Sequence, residues 1–172
     1  MKTCILILLA TITTQRMVIA QTKTKSTPYE SYMTEVVEEL KTLNGKTDMN
    51  RVRILMYEGR SFKYKRVTDY IPKAADLTHR ERQGDCKDKA LWLISRMNDP
   101  RVRYVIGKTN MKSKMAHAWV EWNDGQNWWI LDCTLKYEPM LKSNSGYTSF
   151  YSYSKYEKLN WKIESPIADF SE

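Results

Sequence analysis

Apolar residues recur at helical spacing along "PYESYMTEVVEELKTLNG", residues 28–45. Tyr32, Val36, Val37, Leu40 and Leu43 share one face, and Asn44-Gly45 ends the pattern. This predicts an amphipathic helix. Residues 49–58 predict a second, shorter one. Residues 60–84 are polar and basic, contain Pro72 and show no period, so they read mostly as loop. A further helix is predicted from Cys86 to about Met97, closed by "NDP". The pattern then changes to runs rich in β-branched and aromatic residues. "RVRYVIGKT", "MAHAWVEW" and "QNWWILDCT" predict three strands, the last two separated by Asn123-Asp124-Gly125. Beyond Pro139, "SNSGYTSFYSYSKY" reads as an edge strand or a loose surface segment. Helices first and an antiparallel sheet afterwards make the expected class α+β.

The bulk composition narrows the class of protein without naming an activity. The chain has 172 residues, 42% hydrophobic and 28% charged, which suits one globular domain with one core. The net charge is +8. Its basic residues are scattered, with no basic helix and no aromatic-basic alternation, so nucleic acid is not an expected partner. "MKTCILILLATITT" followed by "VIA" has the charge, apolar core and small residues of a signal peptide cut after Ala20. The apolar run is too short to span a bilayer. The expected organisation is a signal peptide at 1–20, a polar linker at 21–28 and a single domain at 29–172, secreted or periplasmic, with no transmembrane segment in the mature protein. Cutting after Ala20 leaves Cys86 and Cys133, too few for a disulfide framework.

The candidate chemistry gathers at Cys86. Asp85 is an N-cap residue and Asp88 stands three positions on, a variant of the capping box. Cys86 then lies in the first helical turn, where unpaired N–H groups and the helix dipole favour a thiolate. Lys87 and Lys89 push the same way, whereas Asp85 and Asp88 oppose it. A two-residue turn at Asp124-Gly125 would set Val120 against Trp129 and His117 directly against Asp132. An imidazole held by a carboxylate has a fixed tautomer and one nitrogen free to take a proton. The same residues fit two blander readings, a buried structural cysteine and a satisfied sheet histidine. Cys133, next to Asp132, points to the opposite strand face. His79 falls in a polar stretch and is expected in solvent. Trp119, Trp122, Trp128 and Trp129 read mainly as core.

"GDCKDKA", "HAWVEW" and "WWILDCT", in this order, resemble the core of the transglutaminase-like superfamily, within the papain-like thiol enzymes. The resemblance covers about residues 80–135. It implies N-terminal helices on an antiparallel sheet, with a nucleophilic cysteine at a helix N-terminus. It further implies Cys86 as nucleophile, His117 as general base and Asp132 as the residue that orients it. Papain-like enzymes also use a glutamine ahead of the cysteine as oxyanion donor, which points to Gln83 beside the Cys86 backbone N–H. Cys133 stands where the family usually has proline, and the Cys86-to-His117 segment is short for it.

The expected activity is acyl transfer through a thioester on Cys86, as a cysteine peptidase or amidase. The substrate would be a peptide, protein or peptidoglycan-type molecule. Transglutaminase activity and an inactive exported binding module of the same fold are the alternatives. A zinc site of Cys86, His117, Asp132 and Cys133 lacks any C-x-x-C or H-E-x-x-H spacing, so neither metal nor cofactor is expected.

Overall fold

A computed structural model describes residues 23–24 and 27–161. The expected signal peptide lies outside the described residues. A single turn of 3-10 helix at Glu30–Tyr32 leads into α1 (Thr34–Thr42) and α2 (Met49–Ser61). α1 buries Val36 and Leu40 on the predicted face. Asp48 caps α2, its side chain accepting from the Arg51 N–H, and Val52, Leu55, Met56 and Gly59 are buried.

The stretch read as loop contains α3 (Ala75–Glu81), between β2 (Lys63–Tyr64) and β3 (Gln83–Gly84), which pair in parallel. Two short helical turns that bury only Ala75 and Thr78 leave too little periodicity to read. His79 belongs to this helix. Its ring stacks on Trp92 and its Nδ1 accepts the indole N–H at 3.2 Å, so it is partly covered rather than free in solvent.

α4 (Cys86–Met97) is the central helix. Lys89, Ala90, Leu91, Trp92, Leu93, Ile94 and Met97 are buried along it, so it is enclosed by α1, α2, α3 and the sheet. The sheet comprises β1 (Lys23–Thr24), β4 (Val102–Lys108), β5 (His117–Asn123), β6 (Trp128–Leu131), β7 (Met140–Leu141), β8 (Thr148–Tyr153) and β9 (Lys158–Trp161). Its order is β1-β9-β8-β4-β5-β6-β7, antiparallel throughout. The class is therefore α+β, as the pattern predicts. Two details differ. The Ser/Tyr-rich segment supplies β8, an interior strand whose Tyr153 enters the core. Lys23–Thr24, in the expected linker, pairs with β9; edge pairing uses backbone groups and leaves no side-chain period.

The sheet has two covered faces. Tyr104, Ile106, Ala118, Val120, Trp122 and Leu131 face the helices. Val105, Trp119 and Ile130 form a smaller cluster on the other face, with Met140 and Tyr147 against it. Between Ile106 and Gly107 the pairing of β4 with β8 shifts. A Cβ at Gly107 would meet the Thr148 carbonyl oxygen at 2.0 Å and the Trp119 ring at 2.6 Å. Gly107 is also the register partner of His117.

Only a residue without a side chain lets β8 approach here. Gly107→Ala is therefore expected to destabilise the fold by about 1–3 kcal/mol, or more, since the oxygen it meets is backbone. Urea unfolding of the variant would show this as a lowered midpoint.

Candidate active site

The site begins at the cap of α4. Asp85 accepts from the Lys87 and Asp88 amides through Oδ1, and Asp88 Oδ2 accepts from the Asp85 amide in return. The capping box read from the sequence is present. Both carboxylates also reach outside the helix. Asp85 Oδ2 accepts from the Val67 amide at 3.3 Å and from Lys87 Nζ, while Asp88 Oδ1 accepts from the Lys73 amide at 2.8 Å. Burial pushes the Asp88 carboxyl above its ordinary range, against the pull of the Lys73 amide.

Cys86 is the first residue of this helix, half-buried and unbridged. Among the first four amides of a helix, which lack intrahelical acceptors, Asp85 takes Lys87 and Asp88 and leaves that of Cys86 to the cleft. Lys87 is held by Asp85. Lys89, expected to act on the thiol, points into the core instead, 0% exposed, and donates to the Phe62 carbonyl at 2.7 Å. Burial pushes its pKa down.

His117 opens β5 at the end of the sheet nearest Cys86. Its Nε2 lies 2.8 Å from Asp132 Oδ2, and Cys86 is near enough to act on the ring electrostatically. With Nε2 on Asp132, Nδ1 is the nitrogen left for the sulfur. The His117 side chain is 13% exposed. Burial by itself lowers the imidazole pKa. The hydrogen bond to Asp132 and the charges of Asp132 and Cys86 outweigh it, and the pKa rises to about 10.

The contact forms in a different register from the predicted one. Val120 faces Leu131 and Asn123 faces Trp128, so the turn centres on Gly125-Gln126. Asp124 precedes it and takes the Gln126 and Asn127 amides with Oδ1 and the Trp129 indole with Oδ2. Gly125, at φ +109°, supplies the left-handed residue. The pairing therefore moves by two residues. A shift of two preserves side-chain faces, so Asp132 still meets His117, diagonally from just beyond the end of β6.

Asp132 is saturated. Besides His117 it accepts from the Tyr147 hydroxyl at 2.7 Å and the amides of Thr134 and Leu135 at 3.0 and 3.2 Å. Its burial would raise the carboxyl pKa; His117, Tyr147 and the Thr134 amide together hold it below the ordinary value. Trp119 stacks on His117 with centroids 6.3 Å apart, and Tyr147 meets Trp119 edge-on at 5.1 Å. Tyr147 and the stacking role of Trp119 escaped the sequence reading. A tyrosine after Gly146 in a Ser/Tyr-rich run carries no local mark of a partner on another strand.

Two other expectations are resolved by position. Cys133 turns to the opposite face from Asp132, its Sγ buried 3.7 Å from the Lys89 carbonyl oxygen, and burial raises its pKa to about 12. Gln83, the expected oxyanion donor, has a partner of its own. Its amide donates to Glu81, which Lys73 also holds.

Cys86 and His117 line a cleft of about 440 Å³. One wall is the segment 64–70, tied to α4 by the Asp85–Val67 bond. Met33, Tyr64, Tyr70, Tyr104 and Met115 make much of its surface apolar or aromatic.

The family model of the transglutaminase-like superfamily matches residues 20–133. No curated protein matches the sequence. Among solved structures, calcium-bound LapG of Legionella pneumophila aligns with a TM-score of 0.58 at 16% identity, over 76% of this chain and 78% of that one. EGTA-treated LapG aligns with a TM-score of 0.58 at 17% identity, over 77% of each chain. At such identity the likeness is one of fold.

The raised His117 pKa has a stability consequence. The folded protein binds this proton more tightly than the unfolded chain, so the stabilisation is complete below about pH 6.5 and is lost as pH rises toward about 10. The difference in unfolding free energy between wild type and His117→Gln should shrink across that interval. Urea titrations at several pH values measure it.

Proposed function

The chain belongs to the transglutaminase-like superfamily, and on that basis we propose that it is a thiol-dependent acyl-transfer enzyme, a cysteine peptidase or amidase acting through Cys86, His117 and Asp132. The observation that carries the reading is the imidazole of His117, bonded to a fully hydrogen-bonded carboxylate and lining one cleft with Cys86 at a helix N-terminus.

In this reading His117 takes the thiol proton at Nδ1, and Asp132 stabilises the imidazolium. The sulfur attacks the substrate carbonyl carbon. An S–C bond forms and the carbonyl π electrons move to oxygen, where the Cys86 backbone N–H donates to them. Collapse breaks the C–N bond, and His117 returns its proton to the departing amine. Water then attacks the thioester, giving a proton to His117, and the acid and the free thiol are released. The fit of a peptide, protein or peptidoglycan-type substrate follows from amide chemistry at an open cleft. The signal-peptide reading of residues 1–20 supports action in a secreted or periplasmic setting.

Cys86→Ala is expected to abolish acyl-enzyme formation, read by intact mass after exposure to a mixed pool of protein and cell-wall peptides. His117→Ala should slow turnover roughly a hundredfold or more. A wild-type protein that forms no adduct on Cys86 with any pool would leave an inactive binding module.

With a reactive peptide and an excess of primary amine, free acid should form faster than amine adduct. The half-exposed Cys86 and the open cleft admit water readily. Quantifying both products over time checks this, and a predominance of adduct would make the activity that of a transglutaminase.

A further inference from the structure

Tyr104 lies on β4 with its side chain toward the helices. It is 0% exposed and belongs to the main core, yet it lines the cleft together with Cys86 and His117. Among the described residues its hydroxyl meets no hydrogen-bond partner. The polar side-chain atoms that lack both a partner and any exposure are those of Thr47, Arg60, Thr78 and Trp119. The Tyr104 hydroxyl is not one of them, so it touches the open space of the cleft. Its donor is unmet by the protein and is left for whatever occupies the cleft, water at rest or the acyl group of a bound substrate.

The surroundings favour one role for that donor. The Cys86 sulfur lies close enough to raise the phenol pKa electrostatically, but the two share no hydrogen bond. The phenol therefore shares the cleft with the thiol and is not bonded to it. Burial first, then the negative charges of Cys86, Asp85 and Asp88, hold its pKa well above the ordinary 10. It keeps its proton wherever the thiol works. An acyl-transfer site needs donors aimed at the oxygen that becomes negative. The Cys86 amide offers one, while the Gln83 amide is engaged by Glu81.

We propose that Tyr104 is a catalytic residue whose hydroxyl donates to the carbonyl oxygen of the acyl group as Cys86 attacks it. The proposal rests on the thiol reading above. In the step, the S–C bond forms, the π pair moves to oxygen, and that oxyanion receives hydrogen bonds from the Tyr104 hydroxyl and the Cys86 amide. No proton leaves the phenol, and the bonds loosen when the carbonyl re-forms and the leaving group departs.

Two reagents on the same thiol separate this role from others. Iodoacetamide alkylates sulfur by displacement at carbon and generates no oxyanion. p-Nitrophenyl acetate acylates it through a tetrahedral oxyanion. In Tyr104→Phe, which deletes only the unpartnered oxygen, acylation of Cys86 should fall ~100-fold. Alkylation should stay within twofold, which also reports that the site is still folded. Equal slowing of both reactions, or slowing of neither, overturns the proposal. A wild-type Cys86 no more reactive than free cysteine toward both reagents instead overturns the thiol reading, and the Tyr104 assignment falls with it.

Discussion

The capping box at the start of α4 is the constraint from which the rest of the site follows. Asp85 and Asp88 satisfy the first-turn amides reciprocally, which fixes where the helix begins. That boundary puts Cys86 in the first turn and not in the body of the helix, where its amide would be consumed. The same two carboxylates accept the Val67 and Lys73 amides. One local motif thus sets both the nucleophile position and one wall of the cleft. Had the box served the helix alone, the segment 64–73 would have no polar anchor on α4.

The sheet contributes the other half by ending in the right place. β5 starts at His117, and the chain leaves β6 at Leu131, so His117 and Asp132 project from neighbouring strand termini. Their pairing does not depend on ladder geometry alone. Four donors converge on the Asp132 carboxylate, and Trp119 and Tyr147 brace the imidazole from the face away from the helices. A buried carboxylate with every lone pair engaged has little freedom to rotate, so the imidazole has one orientation in which its hydrogen bond is kept.

Fold class, helix α4 and the residues Cys86, His117 and Asp132 were legible because each depends on local chemistry: a cap, a β-rich run, a turn with glycine. The turn shows the limit of that legibility. Asp124 and Gly125 mark a hairpin, but nothing in the dipeptide says that the aspartate stands before the turn and caps it. The site survived this error because the slip was two residues rather than one. α3 was illegible for want of apolar positions. Tyr147 and Tyr104 were illegible for another reason: their significance comes from what other strands place beside them, and one is hydrogen-bonded where the other is not. Gln83 carries a further signal the sequence did not show, a carboxylate two residues away that takes its amide.

Lys89 sits one turn beyond Cys86 and donates to the carbonyl of Phe62, the residue that ends α2. It locks two helices together from inside the core, and it does so as a base that folding makes more acidic. His117 is a base that folding makes less acidic. Their contributions to stability have opposite slopes in alkaline solution: one base relinquishes a favoured proton while the other sheds a disfavoured one, and its neutral amine still donates to Phe62. The molecule therefore carries an internal compensation. A variant at either position would therefore tilt the alkaline stability profile in the opposite sense from a variant at the other.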